Sequence, residues 1–128
     1  MAPNFSDEDI NRKLALWRGW KVHKLENGSG VEKWTHPDGY PHNPPNFFHG
    51  DEALNNVVDA VYHMRKTGGQ FAWLHYPKHL FKVIWGKEPT PDDFTWRAGA
   101  FELIQASAAD RAVALFYTLL EEKLITTE

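Results

Sequence analysis

The sequence predicts an α+β domain: an antiparallel sheet of four to five strands sandwiched by three helices, in the order α-β-β-α-β-β-β-α. Three observations carry that class. Ser6 and Ser107 each stand three residues before an aspartate and open a run with helical apolar spacing. Between them lie short stretches that alternate with a two-residue period or are rich in aromatic and β-branched residues. No repeat, low-complexity tract or composition break divides the 128 residues, so residues 1–128 are expected to form a single domain.

The first helix is predicted near 6–18. Ser6 is placed to cap it, Asp7, Glu8 and Asp9 favour the positive end of its dipole, and Ile10, Leu14 and Trp17 share one face before Gly19 stops it. Trp20 to Leu25 and Val31 to Thr35 are predicted strands paired as a hairpin across Asn27-Gly28-Ser29-Gly30. The next helix, near 51–67, carries Leu54, Val57, Val58, Val61 and Met64 on a sheet-facing stripe and ends at Gly68-Gly69. On that reading Val58→Asp would be severely destabilising. Gln70 to Tyr76 and Phe81 to Gly86 are predicted strands, joined by Pro77-Lys78-His79, and Thr95 to Gln105 a further one. The last helix, near 107–124, has a wide apolar face that includes Ala112, Phe116, Leu119 and Leu120.

The stretch Trp34 to Asp51 is the most distinctive part of the chain. Its eighteen residues hold four prolines, three histidines and four aromatics. Pro37-Asp38-Gly39 is turn chemistry, and the prolines exclude both a helix and a central strand. A long loop laid over a surface is expected, with its stiffness reducing the entropy lost when a partner docks. Phe47 is expected to pack inward and Tyr40 to make contacts. A lid that merely covers a sheet edge is the competing reading.

Composition restricts function. With 14 basic and 17 acidic residues the net charge is −3 and no like-charge run occurs, which argues against general nucleic-acid binding. Cysteine is absent, so thiolate chemistry is excluded. The first residues contain neither a basic nor an apolar signal-peptide region, and no stretch suits a bilayer span, so a cytoplasmic protein is expected. His36, His42 and His49 could supply imidazoles to zinc together with Asp38, but spacings of six and seven within that loop do not set two rings on one helical face. Stacking or capping is the plainer role, and no cofactor is expected. There is no G-x-S-x-G elbow, the two serines at 6 and 107 are accounted for as caps, and Asp38, Asp92 or Asp93 are not fixed beside His36 or His75. A non-enzymatic binding protein is therefore expected. Its candidate binding residues are His36, Asp38, Tyr40, His42, Phe48 and His49 in the loop, with Trp96 and Arg97 beyond it. A homodimer is expected through the last helix, where Leu115 and Tyr117 lie off the main apolar face.

Several short motifs together resemble the phage ABA sandwich domain family, small proteins of phages and prophages. They are Arg18-Gly19-Trp20, Trp34, Pro37-Asp38-Gly39, Pro44-Pro45-Asn46-Phe47-Phe48 and the Ala106 to Leu120 segment, covering roughly residues 6 to 122. The resemblance implies a helix–sheet–helix sandwich and carries no catalytic residue onto this chain. Phe71 to Trp96 departs from it in being richer in aromatics. It also implies a setting in the cytoplasm of an infected bacterial host, and a role as antagonist of a bacterial defence system. The partner would be a host or phage protein, as for an anti-CRISPR inhibitor, or a small nucleotide signal, as for a sponge. A protein target calls for a flat apolar patch. A nucleotide calls for a cation beside a stacking ring, for which Arg97-Trp96 and Lys82-Phe81 are the candidates. A virion assembly accessory or a small hydrolase are the alternatives.

Overall fold

The computed structural model describes residues 5–25, 30–88 and 106–126, with backbone alone at 69–71 and 73. Among them are three helices and a two-stranded sheet, in the order α1 (Asp7–Trp17), β1 (Lys21–Lys24), β2 (Glu32–Thr35), α2 (Ala53–Trp85) and α3 (Ala108–Glu121). α3 packs along α2, and α1 packs against α3.

α1 and α3 begin as their serines require. The Ser6 hydroxyl accepts from the Asp9 N–H and the Ser107 hydroxyl from the Asp110 N–H, each at 3.1 Å; a cap of this kind is worth about 1 kcal/mol. Both helices also end alike. The Trp20 N–H reaches back to the Ala15 carbonyl and the Gly19 N–H to that of Leu16, the paired bonds of a Schellman turn. Gly19 takes the left-handed conformation this needs, at φ +97°, and Pro37 of the loop rests beside it. At the end of α3 the Leu124 N–H bonds to Leu119 and that of Lys123 to Leu120. There the left-handed position is filled by Lys123, at φ +59°.

β1 and β2 form the expected antiparallel hairpin, with Val22 opposite Trp34 and Lys24 opposite Glu32. Arg12 of α1 braces it, donating to both carboxylate oxygens of Glu32 at 2.5 and 2.7 Å with its guanidinium 5.6 Å from the Trp34 ring centroid.

Among the described residues the larger sheet does not form. Residues 70–76 and 81–86, expected as strands, are helical as far as Trp85, and α2 runs for 33 residues, about 50 Å. The third expected strand, 95–105, lies outside the described residues. Period decides the matter. Ala72, Tyr76 and Leu80 are buried at four-residue intervals, which is one face of a helix, whereas a strand would bury alternate residues. Gly68-Gly69 does not end the helix, and the tail of α3 packs closely on Gly68: a Cβ there would lie 2.8 Å from Leu124 Cδ1. Pro77 is accommodated inside the helix as well. The sandwich is thus replaced by a helix pair with a small hairpin attached, still α+β in class.

The core lies between α2 and α3. Val57, Ala60, Met64 and Tyr76 meet Ala112, Leu115, Phe116 and Leu119, and Ile10 and Leu14 join from α1. Thr118 is buried with its hydroxyl donating to the Ala114 carbonyl at 2.7 Å. Two expectations about faces are corrected here. Leu115 is fully buried and Tyr117 half-buried, so of the two residues expected off the main apolar face Leu115 belongs to the core. Leu54 and Val58 face solvent, because the small side chains of Ala53 and Ala60 let the core approach α2 from the neighbouring side.

Candidate functional site

The loop between β2 and α2 divides into an outward half and an anchored half. In the first, the chain turns at Pro37-Asp38-Gly39: the Gly39 N–H donates to the His36 carbonyl at 2.8 Å, and Gly39 has φ +100°. The His36 N–H then donates to the Tyr40 carbonyl at 2.8 Å and that of His42 to Trp34 at 3.2 Å, so residues 40–42 return alongside β2. In the second half three asparagines do the fixing. Asn11 of α1 donates to the Pro45 carbonyl at 2.9 Å and accepts from the Phe47 N–H at 2.7 Å. Asn46 accepts from the N–H groups of Phe48 and His49 at 2.8 and 2.9 Å, and its carbonyl accepts from Asn56 of α2 at 3.0 Å. Phe47 and Phe48 are buried in the core.

Between the two halves and the start of α2 lies a cleft of about 440 Å³, lined by Trp20, His36, Tyr40, His42, His49 and Asn56 among others. Tyr40 stacks on His36, centroids 4.3 Å apart and planes 11° from parallel, and Trp20 stands edge-on to His36 at 4.9 Å. His42 is 5.9 Å from Trp20. Tyr40 is 47% exposed despite these contacts.

The backbone sets the two imidazoles in opposite states. His36 Nδ1 accepts the Asp38 N–H at 3.0 Å, so the ring's proton belongs on Nε2. His42 Nδ1 lies 2.7 Å from the Asn43 carbonyl, which can only accept, so here the proton is on Nδ1 and the uncharged ring keeps Nε2 as an acceptor. His36 and His42 thus differ in hydrogen-bonding character, and both line the cleft beside the half-exposed Tyr40 ring.

The structure brings together four of the expected residues, His36, Tyr40, His42 and His49. Asp38 is exposed at the turn; its carboxylate lies 3.6 Å from His36 Nδ1, a nitrogen already occupied by the Asp38 N–H. Phe48 belongs to the core instead of the exposed face. Trp96 and Arg97 lie outside the described residues. Phe81 is buried and Lys82 is bound to Glu88 at 2.7 Å, so that pair presents no free stacking ring beside a cation. Trp20, whose alternation with Lys21 marks it for the core, is half-buried and forms the floor under both histidines.

A second polar cluster escapes the sequence reading. His75 and His79 stand one helical turn apart on α2 and face the end of α3. His79 Nε2 meets Glu121, while His75 Nδ1 lies 2.7 Å from Glu122 and 3.6 Å from Glu121. The His75 contact is one of proximity, without the alignment of a hydrogen bond. The signal for it is the H-x-x-x-H spacing at 75 and 79, which has no meaning in a pair of strands and puts two rings on one face once the segment is helical. Among the described residues no group of three His, Cys, Asp or Glu side chains is placed to hold a metal ion, and no helix is long and apolar enough to cross a membrane.

Fold and site define a small α+β protein with a pre-ordered aromatic loop beside a cleft. No family model, curated protein or solved structure matches the chain.

Proposed function

We propose that this is a non-enzymatic binding protein that captures a protein partner on the surface formed by Trp20, His36, Tyr40 and His42. The observation that carries the reading is the pair of imidazoles held in opposite hydrogen-bonding states beside the exposed Tyr40 ring. Such a surface reads a peptide group and supplies an aromatic anchor at once. The backbone bonds that fold residues 36–42 back alongside β2 support it, because a surface ordered beforehand loses little entropy on docking. The burial of Phe81 and the bond of Lys82 to Glu88 remove one of the two cation–ring pairs a nucleotide signal could use, which supports a protein partner. The resemblance of the short motifs to those of small phage proteins is the ground for placing that partner in a bacterial defence system, met in the cytoplasm of the infected host.

The test replaces Tyr40 and His42 together by alanine. Immobilised parent protein should retain a host protein identifiable by mass spectrometry. The double variant should lose at least about ten-fold in capture with its melting temperature nearly unchanged, since both side chains are exposed. Undiminished capture by the folded variant would overturn the assignment. A marked fall in stability with capture intact would make this half of the loop a lid.

A further inference from the structure

α2 presents a second apolar face besides the one it buries. Leu54, Val58 and Tyr62 follow one another at four-residue spacing and are 47, 45 and 55% exposed. At 1.5 Å per residue they form a stripe about 12 Å long. The charges at its two ends are opposite. Asp51 precedes the stripe and Arg65 follows it, each seven residues from Val58, and both are exposed. Lys66 adds a second positive charge at the C-terminal end, its ammonium 4.4 Å from the Tyr62 ring centroid.

This arrangement is complementary to itself under reversal. When a second helix of the same sequence is laid antiparallel with its Val58 against the first, Leu54 of each copy meets Tyr62 of the other. Asp51 of each then meets Arg65 of the other. Leu54, Val58, Tyr62 and Arg65 lie within one sector of the helix surface, since steps of four, four and three residues return to nearly the same angle, and Asp51 stands in the turn two residues before α2 begins. A parallel arrangement would set like charges against each other at both ends. We propose that two copies of this chain pair about a two-fold axis through Val58, with α2 antiparallel to α2. The proposal is independent of the loop surface and its partner. A single helix face offers less area than a standard stable interface, so the expected dissociation constant is about 1–100 µM.

Sedimentation equilibrium of the full chain from a few micromolar to several hundred micromolar tests it. A 14.8 kDa monomer should pass into a species of twice that mass. Val58→Asp should weaken association at least about ten-fold with circular dichroism and melting temperature close to those of the parent, because the side chain is outside the core. Asp51→Lys and Arg65→Asp should each weaken the homodimer. An equimolar mixture of those two variants should restore it, since every contact between unlike copies then joins opposite charges. A monomer at every concentration overturns the proposal, as does a dimer indifferent to Val58→Asp. If Val58→Asp unfolds, the mixture decides: no association beyond that of the separate variants rejects antiparallel pairing.

Discussion

His63 shows how a single side chain can make stability depend on pH. It lies on α2 with Trp17 edge-on at 5.0 Å, and burial lowers its pKa, with the charges of Arg18 and Lys66 acting in the same direction. The folded protein thus holds a neutral ring at pH values where the unfolded chain, at about 6.5, already binds a proton. Below that value the unfolded state takes up the proton first, so stability falls as pH drops toward the depressed folded pKa and is regained on raising it. His63→Gln removes this contribution. Thermal melts of parent and variant between pH 7.5 and 5 should show a shallower loss for the variant; parallel curves would mean that other groups account for the whole slope. The cleft imidazoles of His36 and His42 are held instead by backbone groups at their Nδ1 atoms.

α2 is the element on which sequence and structure part. Its first half is legible: Val57 and Met64 fall on the expected stripe, though Ala53 and Ala60 complete the buried face in place of Leu54 and Val58. Alanine carries little hydrophobic signal, yet it allows the close approach of α3. Its second half reads as strand because Gly68-Gly69 looks like an end, Pro77 like a break, and the aromatics between like a pleated surface. What overrides those local preferences is packing along α3, a tertiary term invisible to a scan of short windows. Gly68 illustrates it. Alanine there would gain about 1 kcal/mol of helix propensity, but its Cβ would sit 3.0 Å from the Cβ of Ala72, which is fixed to backbone, and 2.8 Å from Leu124. We expect Gly68→Ala to destabilise by about 1–3 kcal/mol, read as a fall of several degrees in melting temperature. A rise would show that α3's tail yields easily.

At the scale of the whole molecule, the parts that sequence made legible are those whose instructions are local. The serine caps, the hairpin and the Pro37-Asp38-Gly39 turn all formed, and His36, Tyr40, His42 and His49 share a cleft because one stiffened loop carries them. Trp20 and Asn56 join that site from elsewhere in the chain, Asn11 fixes the loop beside it, and the H-x-x-x-H pair has meaning only because α2 is continuous. The turn that closes α3 has a different kind of consequence. A lysine in the left-handed region costs about 1–2 kcal/mol that glycine would avoid, so Lys123→Gly should raise stability by about 1 kcal/mol after allowance for the freer unfolded chain. Chemical denaturation should show the midpoint moving up with an unchanged slope. The fold therefore operates short of its own ceiling, with the missing margin recoverable at one exposed position far in sequence from the loop. Proteins tolerate new binding residues in proportion to the stability they hold in reserve. A lineage that acquired glycine at 123 would have more freedom to change Tyr40 and its neighbours.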